Sequence, residues 1–263
     1  MMQLDQYFIY FFIYAVIGYI SEVIYCSIPL GRLVNCGFLH GPYLPIYGFG
    51  ALLVVIPLMY FDAQPILVFL IAVLLTSVLE YVTSFLLEKI FNTKVWDYSK
   101  KLANINGRVC LLNSTLFGLM GLAATYWLHP ALTRVVSTIP DFVLHPLSSV
   151  LLLGMSIDAT SSVYRIASFQ KQLAEFRTRV AELEERIELL AKQRTNPSLD
   201  SLRKRLDSEL DELKIRITQR SKWIFDAFPS ITAMNEEQKL QLELLKMNIR
   251  SYREKKKDQR NYR

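Results

Sequence analysis

Cysteine and histidine are scarce in this chain, with three of each among 263 residues. Cys26, Cys36 and Cys110 are too few for a disulfide framework, and no CxxC spacing is present to begin a zinc site. Cys36 and His40 stand four apart, but Gly37 between them and Gly41-Pro42 after them oppose the helix that would put both on one face. No metal is expected, and no motif implies a cofactor. The sequence also lacks GxxxxGK[ST], so any ATP hydrolysis would belong to a separate subunit. No Lys or Arg precedes the first apolar run, and no small-residue cleavage site follows it. That run therefore reads as a retained span rather than a cleaved leader.

What is present in abundance is apolar sequence. Hydrophobic residues make up 52% of the chain and the mean hydropathy is +0.23, too apolar for an ordinary soluble domain. They are unevenly spread, which divides the chain into a membrane domain, 1–169, and a charged tail, 170–263. Acidic and basic residues roughly cancel through Phe169, so the net charge of +6 lies in the tail. A basic tail behind a membrane domain favours the cytoplasm and anionic lipid over nucleic acid.

Five runs are long enough to predict an all-α, polytopic bundle of about five spans. They cover Tyr7 to Tyr25, Tyr43 to Phe61, a third run ending at Phe91, Cys110 to Leu128, and a fifth ending at Phe169 after a loop from His129 to Pro146. In the second, Pro45, Gly48, Gly50 and Pro57 predict a helix that starts late or kinks. In the fourth, Ser114, Gly118 and Gly121 offer a small face for close helix contact. Lys94, Lys100, Lys101 and Arg108 follow the third span and Arg32 the first. Positive-inside counting then puts the N-terminus outside and the tail in the cytoplasm of a cell-membrane protein.

Glu22, Glu80 and Asp158 lie well inside these runs, and Glu88 near the end of the third. Carboxylates in a span cost about 2.5–3.5 kcal/mol and normally face a bundle interior or a wet cavity. Ser77, Glu80, Ser84 and Glu88 form one helical stripe, and Gly154, Asp158, Ser161 or Ser162 and Arg165 another. Glu22 shares a face with Gly18. Glu22, Glu80 and Asp158 are expected at one depth, above two polar segments that supply Arg32 and His40 on one side and Trp96, Asp97, Tyr98, Asn104 and Arg108 on the other. These ten residues are the candidate ligand site, facing the cytoplasm. The same acids could instead be interhelical fasteners, and Trp96 and Tyr98 interfacial belt aromatics.

In the tail, apolar positions from Ile166 through Phe169, Leu173, Phe176, Val180, Leu183 and Ile187 to Leu190 alternate three and four, which predicts a coiled-coil seam leaving the fifth span. Thr195 to Ser198 stop it, with Pro197 placed to open a second helix through Leu199, Leu202, Leu206, Leu210, Leu213 and Ile217. A helical hairpin and a self-associating coil both fit, the latter implying a homo-oligomer or a partner protein. Asn235 with Gln238 resembles a capping box, and the end from Arg250 to Arg263 is basic.

Gly18-Tyr19, Glu22-Val23, Gly37-Phe38-Leu39, Gly41-Pro42 and Pro45-Ile46-Tyr47-Gly48 resemble the bacterial CmpB family, as do Glu80-Tyr81, Trp96-Asp97-Tyr98-Ser99 and Asn104 to Arg108. That family carries an ABC-transporter type IV label and is similar to the eukaryotic transmembrane protein family 229. The resemblance covers roughly Tyr7 to Phe169 and not the tail. It implies an integral membrane protein with transporter-like function. His40, and Lys94-Val95 before Trp96, depart from the family pattern. Three functions are open at this point. One is a transporter or its membrane subunit, binding a small polar or lipid-head-group ligand. Another is a lipid-modifying enzyme with His40 as base, Glu80 or Asp97 as its partner, and Arg108 or Arg32 on a phosphate. The third is a scaffold or sensor signalling through the tail.

Overall fold

The computed structural model describes residues 4–31, 33–58, 64–91, 93–192, 204–206, 208–210, 212, 215–216 and 232–233. Arg32, the proposed second tail helix apart from the short stretches between 204 and 216, Pro197, the capping pair Asn235 and Gln238, and the basic end lie outside the described residues. The chain divides into two units: Met1–Val163 with Asp226–Thr232, and Tyr164–Phe225 with Ala233–Arg263.

The described part is helical, apart from two-residue strand segments at Thr93–Lys94 and Thr232–Ala233. Helix α1 covers Leu4–Leu30, α2 Pro45–Leu58, α3 Pro65–Phe91, α4 Leu111–Ala123, α5 His129–Val136 and α6 Asp141–Lys192. Four segments, Leu4–Ile28, Pro65–Ile90, Leu111–Val136 and Asp141–Ser168, are long and apolar enough to cross a bilayer. This is a multi-pass membrane protein.

The second run departs from a full-length helix. Helix α2 has 14 residues, roughly 21 Å of rise against a hydrocarbon core of about 30 Å. The missing length is supplied by the chain before it. After α1 the chain doubles back without regular secondary structure, and the Leu44 amide donates to the main-chain carbonyl of Ala15 at 2.9 Å, halfway along α1. Helix α2 continues from there, bringing Val55 into one cluster with Ile9, Tyr10 and Tyr14. Non-helical backbone at this depth needs partners within the protein. Ser27 Oγ accepts from the Val34 amide at 3.1 Å, and Asp158 accepts from the amides of His40 at 3.0 Å and Gly41 at 2.8 Å.

Helix α3 shows the inside-out pattern of a bundle in lipid. Val68, Ala72, Glu80, Ser84 and Glu88 are buried, whereas Ile66, Leu70, Leu74, Val78 and Val82 are exposed. The polar stripe read from spacing is thus the inward face. It meets α4 through Ser77 and Ser114, whose hydroxyls lie 2.8 Å apart. A Cβ on Gly118 would stand 2.6 Å from Phe69, and one on Gly121 2.5 Å from Ala72, so the small face of α4 does admit close contact.

The loop expected from His129 to Pro146 is largely helical. Helix α4 passes through one π turn, Ala124–Leu128, directly into α5. Pro130 follows that turn, and a widened turn spares the clash and the missing hydrogen bond that proline brings to a regular helix. Helix α6 begins at Asp141 with Pro146 already inside it. Its start is tied to α1 through Asp5, which accepts from the Ser148 hydroxyl and pairs with His145. In the second unit α6 runs unbroken to Lys192, with Ile166 and Leu183 of the seam buried.

Candidate functional site

The candidate residues fall into three groups around different elements. The first is built on α1, α2 and α3. Gly18 lets Tyr47 lie against α1, since a Cβ there would stand 2.2 Å from the Tyr47 side chain. That approach allows the Tyr47 hydroxyl to donate to Glu22 Oε2 at 2.6 Å. Glu80, 5% exposed, has the side chains of Asn113, Tyr98 and Glu22 in its electrostatic surroundings. Two acids distant in sequence are therefore close enough to influence one another electrostatically, while Asp158 stands in a separate group. The satisfaction of Glu80 is incomplete, because its Oε2 atom is buried with no hydrogen-bond partner among the described residues.

The second group holds the re-entrant segment against α6. Asp158 accepts from the amides of His40 and Gly41, from the Tyr43 hydroxyl at 2.7 Å and from Ser162 at 3.3 Å. The His40 ring lies 2.8 Å from Asp158 and 3.0 Å from Ser162 through Nδ1. Of the two serines considered on α6, Ser162 is buried and Ser161 exposed.

The third group is the loop between α3 and α4. Asp97 accepts from the Ser99 amide at 3.0 Å and from its hydroxyl. Asn104 donates to the carbonyls of Ser99 and Lys101 and accepts from the Gly107 amide at 3.1 Å. Trp96 donates its indole N–H to the Arg108 carbonyl at 3.0 Å. Gly107 has φ +70°, and a Cβ there would stand 2.5 Å from Asp97, so the turn requires glycine. These bonds frame the loop and present two side chains to the bundle. Arg108 donates through Nε and Nη2 to Glu88 Oε2 at 2.9 and 2.6 Å, and through Nη1 to Tyr81 at 3.0 Å. Burial works against the Arg108 charge, but Glu88 outweighs it and raises the guanidinium pKa. Burial also raises the Tyr98 hydroxyl, reinforced by the negative charge of Glu80 and Glu22. Tyr98 therefore stays protonated.

Beside the first group lies a cavity of about 90 Å³, between residues 14–18 of α1, 46–54 of α2, 76–80 of α3 and 117–121 of α4, lined also by Ala124 and Leu128 of the π turn. These positions are near the middle of each long helix, and α2 itself starts at this level. Among the described candidate residues Glu80 is the one on its wall. The wall also carries Tyr14, whose hydroxyl is buried without a partner and whose ring stacks on His129 with centroids 6.3 Å apart. Tyr14, Tyr47 and Asn113 were not among the sequence candidates. Tyr47 sits in the Pro45 to Gly48 motif and Asn113 is a lone amide in an uncharged run, so both carried a signal. Tyr14 reads as one aromatic among many.

The fold and this site define a polytopic helical membrane protein with a broken second span and a polar centre at mid-helix. A family model described as "Putative ABC-transporter type IV", the CmpB family, matches residues 9–163. The chain belongs to that family. No curated protein and no solved structure matches it.

Proposed function

We propose that the chain is a membrane transporter, or the membrane subunit of one, binding a small polar ligand or lipid head group in the cavity around Glu80. One observation carries this reading: Glu80, a buried acid with one carboxylate oxygen left without a partner among the described residues, lines a cavity at mid-helix where a broken helix begins. Broken helices meeting at mid-depth are how transporters bring polar groups to a bound solute. An enzyme acting on head groups at the inner face would place its chemistry at the helix ends, and the His40 ring is engaged by Asp158 and Ser162.

In this reading the protein sits in the cell membrane with its N-terminus outside. The site opens to the cytoplasm past Tyr98, which the loop of Trp96, Asp97, Asn104 and Arg108 positions, while Asp158 and His40 hold the re-entrant segment. Solute uptake into proteoliposomes is expected with wild type and is lost in Glu80→Gln, with Asp97→Asn reduced but active. Uptake equal in wild type and Glu80→Gln would overturn the assignment.

A second reading follows from the unbroken course of α6 to Lys192: a sensor reporting through its tail, with a homo-oligomer or partner protein on the coiled-coil seam. Deleting residues 170–263 separates the two. A transporter keeps part of its uptake, and a sensor loses its function.

A further inference from the structure

The chemistry of the cavity wall narrows the ligand class, on the basis that the cavity is the binding site. Its acidic group is Glu80, with Glu22 in electrostatic reach. No Lys, Arg or His lines it among the described residues. The nearby guanidinium of Arg108 is taken up by Glu88 at 2.6 Å. An anion would enter against two carboxylates with no cation to receive it. A neutral solute would leave Glu80 Oε2 without an ionic partner. Buried carboxylates are stable when paired, and a bound cation is the partner this wall lacks.

The remaining lining decides what kind of cation. Apart from Glu80, it is built of aliphatic side chains, glycines and the rings of Tyr14, Tyr47 and Phe117, with Thr76. The Thr76 hydroxyl is spent on the Ala72 carbonyl at 2.6 Å, and that of Tyr47 on Glu22. A metal ion needs a shell of several oxygen ligands, which this wall does not offer. An ammonium group needs one carboxylate and aromatic faces, with apolar surface for its stem. Scaled from a cavity of about 150 Å³ that takes benzene, 90 Å³ holds about four non-hydrogen atoms.

We infer that the cavity binds a small alkylammonium group, with Glu80 as its counter-ion and the rings of Tyr14, Tyr47 and Phe117 around its stem. The group could arrive as a free amine or as the ammonium end of a lipid head group, and the two sources share this chemistry.

The test is titration of the full-length protein in phosphatidylglycerol nanodiscs with propylammonium, 1-propanol and propionate, which differ mainly in charge. Propylammonium is expected to bind, about ten- to a hundredfold weaker in Glu80→Gln, with Glu80→Asp restoring part of the loss. Gly50→Ala keeps the fold, since its new methyl would meet Leu79 at 3.5 Å and Thr76 at 3.9 Å. It narrows the cavity and is expected to weaken propylammonium severalfold, which keeps the test alive if Glu80→Gln does not fold. Repeating the titration with phosphatidylethanolamine in the disc separates the sources. Loss of apparent affinity there identifies the lipid head group, and unchanged affinity identifies the free amine. Equal binding of 1-propanol and propylammonium, or binding unaffected by Glu80→Gln, overturns the inference while leaving a transport cavity in place. No binding of any of the three, together with no uptake of solute, overturns the cavity as a site altogether.

Discussion

Asp158 and Glu80 are both acids inside membrane-spanning helices, yet their surroundings are opposite. Asp158 collects two main-chain amides, a tyrosine hydroxyl, a serine and an imidazole. Glu80 is more deeply buried and keeps one oxygen with no partner. The first arrangement supplies acceptors to a stretch of non-helical backbone that would otherwise be unsatisfied in the bilayer. The second stores an unmet requirement at the wall of a cavity. Glu88, held by Arg108, belongs with Asp158. A buried carboxylate is therefore informative about ligands by what it is not bonded to.

The largest effect that sharpens this contrast is expected at Arg108. Arg108→Ala leaves Glu88, 6% exposed, as an uncompensated buried charge and should cost about 3–5 kcal/mol in a reversible unfolding titration in mixed micelles. Adding Glu88→Gln should recover most of that loss, whereas Arg108→Lys should not, because a single ammonium cannot reproduce the fork reaching Glu88 and Tyr81. Asp158→Ala comes next. It strands the donors of the 40–43 segment and should lower stability by about 2–4 kcal/mol, with faster proteolysis around Gly41 as a second readout. The smallest change is expected for Glu80→Gln, within about 1 kcal/mol of wild type or above it, since it removes a charge that lacks full compensation. A loss at Glu80 as large as that at Asp158 would move Glu80 into the class of braces.

Much of the architecture could be read from periodicity. The α3 stripe of Glu80, Ser84 and Glu88 is buried as its spacing required, and Ser114, Gly118 and Gly121 do pack against α3. The late start of α2 follows from Pro45 and the glycines around it. The course of residues 33–44 could not be read, because the bond from Leu44 to Ala15 and those from His40 and Gly41 to Asp158 are long-range. No local pattern encodes them. The run from His129 to Val136 looked like a loop because histidine, proline and arginine sit together there, and a π turn ahead of Pro130 preserves the helix. Of the site, the inward placing of Glu80 was legible from its helical face. The cavity was not, since it depends on where Tyr14, Tyr47 and Phe117 stop short of one another.

The most direct measurement is a structure of the protein in lipid with propylammonium present. Density for the amine is expected between α1, α2, α3 and α4, with its nitrogen about 2.7–2.9 Å from Glu80 Oε2 as in a charge-assisted hydrogen bond. A cavity filled by an acyl chain, or a Glu80 side chain turned out to the lipid, would contradict it.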